Sequence, residues 1–168
     1  CGTETMMRKI FDSQLMAIGG VISPFNAWLL LRGLRTLPVR MERIALTAGQ
    51  VTRFLAEHPK VKRLHYPHSP THPQYELATR LMKRGAGQFS FQLNTTELAK
   101  TEAFCNSLTK FKLGASWGGY ESLAFPSCTV FGEPQDESGY PLNFVRFCVG
   151  LEEAEVLVSD LEQALEKV

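Results

Sequence analysis

Paired cysteines, long apolar runs and charge of one sign are all missing from this chain. Cys1, Cys105, Cys128 and Cys148 lie far apart and form no Cys-x-x-Cys pair. Neither a structural zinc site nor a disulfide framework is expected, and the usage fits a reducing compartment. No window approaches eighteen apolar residues, so no bilayer span is expected. The sequence shown contains no signal-peptide pattern. Eighteen Lys and Arg stand against seventeen Asp and Glu, a net charge of +1 with His neutral. With no Lys/Arg run, neither nucleic acid nor an anionic membrane surface is an expected partner. There is no Gly-x-Ser-x-Gly, no Walker-type loop and no Gly-x-Gly-x-x-Gly after a strand, hence no strong nucleophile–base set. No internal repeat or low-complexity segment appears.

What remains is a chain of 168 residues, 44% hydrophobic, enough for a domain with a real core. It starts at Cys1 and not at Met, which reads as a piece of something longer. Asn94-Thr95-Thr96 matches a glycosylation sequon, a triplet that is frequent by chance and without meaning in a cytosolic protein.

Residues 4–17 suggest a helix with a rough apolar stripe of Met7, Ile10, Phe11 and Leu15, stopped by Gly19-Gly20. Ser23-Pro24 supplies an N-cap and a first-turn proline for a helix to about Thr36. Pro38 breaks or kinks it. A further helix to Glu57 carries Ile44, Ala48, Val51 and Leu55 at spacings of three and four. The pattern then changes to alternating strands and helices. Val61–Tyr66 is a strand. Thr71-x-x-Gln74 reads as a capping box for a helix to Gly85. Phe89, Phe91 and Leu93 alternate as a half-buried strand. Thr96 caps a helix to about Leu108. Phe111, Leu113 and Ala115 make another strand, and 124–142 is loop-like. Val145, Phe147 and Val149 alternate, so Arg146 points to the opposite sheet face. Ala154, Leu157, Val158, Leu161, Ala164, Leu165 and Val168 form one face of a last helix, with Glu152 and Glu153 at its positive end. The sum is roughly four strands with helices on one side, a two-layer α/β sandwich preceded by long helices.

Arg146 among apolar neighbours needs an anion or a carboxylate. Its guanidinium fork suits bidentate recognition of a carboxylate. A structural pair with a local acid, or a snorkelling edge position, fits the same pattern. Ser116-Trp117-Gly118-Gly119 is a turn whose glycines let backbone approach a ligand. It is also readable as an ordinary turn with a core Trp. His65, His68 and His72 have ligand-like spacings, but Pro67, Pro70 and Pro73 forbid a continuous helix, and a solvated loop is the better reading. Glu121 is a base or an ion-pair partner, the latter favoured. Phe25, Trp28 and Leu29 read as packing residues.

Several segments resemble the pyridoxal-phosphate-dependent enzymes of cysteine and methionine metabolism, a family that includes cystathionine β- and γ-lyases, cystathionine γ-synthase and methionine γ-lyase. They are Ser23-Pro-Phe-Asn-Ala-Trp-Leu-Leu-Leu-Arg-Gly-Leu-Arg-Thr-Leu37, His58-Pro-Lys-Val61, Tyr66-Pro67, Ser116-Trp-Gly-Gly-Tyr-Glu-Ser-Leu123, Arg146-Phe-Cys-Val-Gly-Leu-Glu152 and Leu157-Val-Ser-Asp-Leu-Glu-Gln-Ala-Leu165. The resemblance covers essentially the whole chain in order.

The resemblance implies the small C-terminal domain of an aspartate-aminotransferase-like fold, with a mostly antiparallel sheet. It implies three parts: 1–20 as the tail of a missing large cofactor domain, 21–57 as long interdomain helices, and 58–168 as a small C-terminal substrate-recognition domain. The family's cofactor, pyridoxal phosphate, takes up the substrate amine and acts as an electron sink, while a lysine holds it and shuttles protons. That lysine and the phosphate-binding residues are absent here, so no catalytic or cofactor-binding residue is assigned and the fragment alone is expected to be inactive. By motif match, Arg146 forms a bidentate salt bridge with the substrate α-carboxylate, and Ser116 and the backbone at Trp117 add hydrogen bonds. Fixing the carboxylate orients the substrate and breaks no bond. The implied parent is a cytoplasmic homo-oligomer, a tetramer, acting on a sulfur-containing amino acid. Trp117 stands where many γ-acting members carry leucine, which favours a cystathionine β-lyase type. The alternatives are γ-lyase or γ-synthase specificity, or a stand-alone amino-acid-binding or oligomerisation module. Two departures, Phe125-Pro-Ser-Cys-Thr-Val-Phe131 and Tyr66-Pro-His-Ser-Pro-Thr-His-Pro73, fall where selectivity or subunit contacts are set.

Overall fold

The structure is a computed structural model that describes residues 2–129 and 141–168. The chain divides after Pro38 into two compact units. In the first, α1 (Glu4–Lys9) opens on Thr3, whose hydroxyl accepts the Met6 amide at 3.3 Å. A π-helical stretch, Ile10–Leu15, and the short α2 (Met16–Ile18) follow, and Gly19 ends them at φ +67°. That left-handed conformation is cheap only for glycine. In α3 (Pro24–Arg35), Ser23 caps the Asn26 amide at 3.2 Å as the sequence predicts. The expected packing residues of α3 are exposed in the described chain: Phe25 is 66% and Trp28 55% accessible.

The second unit holds the core. The helix break falls at Thr36, and Pro38 sits in the first turn of α4 (Leu37–Glu57), where a missing N–H costs nothing. Ile44, Ala48, Val51 and Leu55 are all buried on one stripe, as their spacing demands. Five strands follow: β1 (Val61–His65), β2 (Gln88–Leu93), β3 (Lys112–Leu113), β4 (Leu123–Pro126) and β5 (Phe144–Cys148), in the order β1-β2-β5-β4-β3. The β1–β2, β2–β5 and β5–β4 pairs are antiparallel, and β3–β4 is parallel. Interleaved are α5 (Tyr75–Leu81) and α6 (Leu98–Ser107), and α7 (Ala154–Leu165) closes the chain. Residues of α4, α6 and α7 share one buried cluster with Phe89, Phe91, Leu93, Val145 and Phe147. These helices therefore cover the sheet face that the alternating residues present. Phe147 is the hub: its ring stacks on Phe89 and Phe91 at 5.7 and 5.1 Å and meets Phe111 edge-on at 4.9 Å.

Several expectations need correction. Among the described residues the sheet has five strands, not four, because the strand Leu123–Pro126 runs into the 124–142 segment that looked loop-like. Pro126 donates no amide, and Ala124 is a weak strand former, so pairing with β5 and β3 makes the segment a strand. Thr71 caps nothing: its hydroxyl bonds to Ser69 Oγ at 3.0 Å, α5 starts at Tyr75, and the chain is extended by Met82. Thr96 caps nothing either. The α6 helix starts at Leu98, and Thr95 Oγ1 takes the Glu97 amide at 3.1 Å. The strand expected through Phe111, Leu113 and Ala115 shrinks to Lys112–Leu113, with Phe111 buried and Leu113 exposed.

Candidate functional site

Strand β5 carries two unlike faces. Val145 and Phe147 enter the core, and Arg146 lies on the other side, as alternation requires. Its register neighbours there are Ser90 on β2 and Phe125 on β4. The Phe125 ring lies 4.9 Å from the guanidinium carbon, a cation–π contact. Nη2 donates to Ala115 O at 2.6 Å and to Ser116 O at 3.3 Å. Among the described residues no Asp or Glu pairs with Arg146. The guanidinium is thus held by neutral carbonyls and a ring, and its charge is left uncompensated there.

The structure brings Ala115 and Ser116 to Arg146 through these carbonyls, and Trp117 follows next in the loop. The loop leaves β3 at Gly114, whose amide donates to Ala124 O at 3.0 Å, and rejoins the sheet at β4. Trp117 is 63% exposed and Tyr120 75%. Trp117 is therefore not a core residue, which removes that reading of the turn. Gly118 adopts φ +78°, which a side chain tolerates poorly, and its amide donates to Cys148 Sγ at 3.2 Å. Glu121 makes no ion pair among the described residues. Its carboxylate lies against Gly119, where an added Cβ would come within 2.9 Å of Oε2.

Sequence reasoning missed Ser122 and Glu152. Ser122 is fully buried, and its amide and hydroxyl donate to the two Glu152 oxygens at 2.9 and 2.7 Å. Glu152 was expected to serve the α7 dipole. It also grips the loop, while Glu153 stands at the N-cap of α7 and pairs with Arg43. Asp160 was missed too. It is 4% exposed and accepts from the Thr109 amide and hydroxyl and from the Lys110 and Phe111 amides, at 2.7–3.1 Å. Burial pushes its carboxyl up, but these hydrogen bonds together outweigh burial and hold it below the ordinary value. The segments that resemble the family contain both acids but do not mark their roles, since each meets its partners only through the fold.

The histidines separate. The His65 ring meets Phe144 edge-on, His68 lies beside Tyr66, and His72 Nδ1 accepts the Gln74 amide. Burial, and then the charges of Arg63 and His72, hold His65 below its usual range. Among the described residues no three His, Cys, Asp or Glu side chains gather as metal ligands. Burial pushes the Cys105 thiol up to about 12, which makes it inert.

The sequence pattern of the "Cys/Met metabolism PLP-dependent enzyme" family matches residues 2–166. The chain belongs to this family. It is 38% identical over 155 residues to a cystathionine gamma-lyase of Bacillus subtilis, covering 89% of this chain and 40% of the relative. It is 40% identical over 154 residues to a cystathionine beta-lyase of Coxiella burnetii, covering 89% and 40%. It is 39% identical over 152 residues to an L-methionine gamma-lyase of Pseudomonas deceptionensis, covering 88% and 38%. The chain thus spans about two fifths of the length of the curated relatives it matches.

A family built on pyridoxal phosphate requires a lysine amine enclosed with the cofactor. The described lysines are all exposed or half-buried. Lys60 Nζ donates to Leu165 O, Lys112 Nζ to Thr109 O, and Lys100 pairs with Glu97. The described residues of this family member do not form a cradle for the cofactor. No helix among them is long and apolar enough to cross a membrane.

Proposed function

We propose that this chain is the C-terminal, substrate-recognising part of a pyridoxal-phosphate-dependent C–S lyase, with an aspartate-aminotransferase-like fold. In the longer protein residues 1–20 end the large cofactor domain, 21–57 form the interdomain helices, and 58–168 recognise substrate. Arg146 binds the α-carboxylate of a sulfur-containing amino acid, aided by Ser116 and the backbone at Trp117. The observation that carries this reading is the guanidinium itself. It is anchored by two loop carbonyls and a ring, with no carboxylate partner among the described residues. An anionic ligand would supply the missing charge, and the planar fork would fix its orientation. The cofactor, which these residues do not cradle, belongs to the part of the protein that lies outside this chain. The intact protein is a cytoplasmic homotetramer in this reading.

Within the family, Trp117 in Ser-Trp-Gly-Gly-Tyr-Glu-Ser favours β-cleavage of cystathionine. Product analysis of the full-length holoenzyme tests this directly. Pyruvate and homocysteine mean β-cleavage, and 2-oxobutyrate and cysteine overturn it in favour of γ-cleavage. For the carboxylate assignment the measurement is kcat/KM of Arg146→Ala with L-cystathionine. A large loss is expected, and a value within about twofold of the parent sinks the assignment.

A further inference from the structure

Every second residue from Arg146 onward meets the loop that carries Ser116 and Trp117. Arg146 donates to the Ala115 and Ser116 carbonyls. Cys148, two residues on, accepts the Gly118 amide at 3.2 Å. The Gly150 amide donates to Ser122 Oγ at 2.9 Å, and Glu152 accepts the Ser122 amide and hydroxyl. Between them the Leu151 amide donates to Tyr120 O at 2.8 Å. Residues 146, 148, 150, 151 and 152 thus hold the loop at 115–116, 118, 120 and 122. Close approach is built in at Gly150, where a Cβ would fall 2.1 Å from Tyr120 O.

We infer that Glu152 is a positioning residue of the carboxylate site: acting through the fully buried Ser122, it holds the 115–122 loop in register with Arg146, and Cys148 sets the Gly118 turn within that loop. The inference rests on the carboxylate-binding reading of Arg146 and extends it to side chains that touch no substrate. Ser122 brings two donors into a dry position, and one carboxylate satisfies both. Without Glu152 those donors are orphaned, and the loop must move toward water to satisfy them. Moving the loop moves the two carbonyls that aim the guanidinium. A misplacement of about 1 Å is enough to matter for a bound substrate. Glu153 is the natural control: it is the neighbouring acid, and its partner Arg43 has no part in the loop.

The test uses the full-length holoenzyme with L-cystathionine, together with hydrogen exchange of the 114–122 amides followed by mass spectrometry. Glu152→Ala is expected to raise KM about tenfold or more with kcat changed less than about threefold, the mark of lost uniform binding. Exchange should quicken in 114–122 and stay unchanged in α7. Cys148→Val should weaken affinity in the same direction, and Cys148→Ser, which keeps an acceptor, should restore it. Unchanged KM and exchange in Glu152→Ala overturn the inference. So does an equal loss in Glu153→Ala, because that would mark a general structural effect. If Glu152→Ala does not fold, the Cys148 pair decides. Arg146→Ala separates the two ideas. If it leaves KM unchanged, the carboxylate reading fails, while loop exchange in Glu152→Ala still reports whether Glu152 holds the loop.

Discussion

Phe147 and Arg146 are neighbours on β5, and the fold treats them in opposite ways. Phe147 is fully buried among aromatic rings. Arg146 rests on a ring and points its fork at two carbonyls of a largely exposed loop. On the core side, shape and apolar area decide, and any well-fitting hydrophobe keeps most of the stability. On the loop side, direction decides, because each contact is a hydrogen bond with one partner. The core face makes the strand, and the strand then gives the other face a rigid ruler. That division explains how the Gly-rich turn is held in place.

Emptying the core face should have the largest effect. Phe147→Ala is expected to cost about 3–5 kcal/mol of stability in chemical denaturation, since it leaves a cavity among four rings. If the loss is under about 1 kcal/mol, the hub assignment fails. On the loop face, Arg146→Ala is expected to leave stability nearly intact. It should remove roughly 2–5 kcal/mol of substrate affinity in the full-length enzyme, the scale of a desolvated charge pair. Equal damage to stability and affinity would erase the contrast between the faces.

Asp160 sharpens the comparison, because it ties down a loop from the helical layer. Asp160→Asn should cost about 1–3 kcal/mol at neutral pH through lost charge-assisted hydrogen bonds. Its folded carboxyl lies below the ordinary value. The stability it contributes is therefore present above the unfolded pKa and is lost as pH falls through the folded one. The gap between the parent and Asp160→Asn should narrow as the solution is acidified in that window. A gap independent of pH would contradict it. Glu153→Ala should be the mildest change, at about 0–1 kcal/mol. Its pair with Arg43 is largely exposed, with the two side chains 69% and 38% accessible.

Legibility in the sequence followed periodicity. The α4 stripe, the alternation in β2 and β5 and the apolar face of α7 were readable because burial repeats at 3.6 or 2 residues. Ser23 was readable as a cap because proline follows it. Thr71 and Thr96 looked like caps by the same local logic, but nearby hydroxyls and turns competed for those positions. At the candidate site, Arg146 stood out as a charge in an apolar strand. Glu152 did not, since beside Glu153 it looked like half of a dipole pair.

Without coordinates, the spacing of apolar residues already defines the buried stripes of α4, β2, β5 and α7, and the match to residues 2–166 defines the family. Both depend on patterns that run along the chain. The tertiary structure alone decides that Leu123–Pro126 is a strand, that Glu152 and Glu153 part company, and that Ser122 and Asp160 are buried polar hubs. The Ser122–Glu152 and Thr109–Asp160 bonds join residues 30 and 51 apart, and Arg43 and Glu153 are farther apart still. A hydrogen bond across such a separation leaves no period in the sequence. It exists only once the sheet and helices have brought the two ends together.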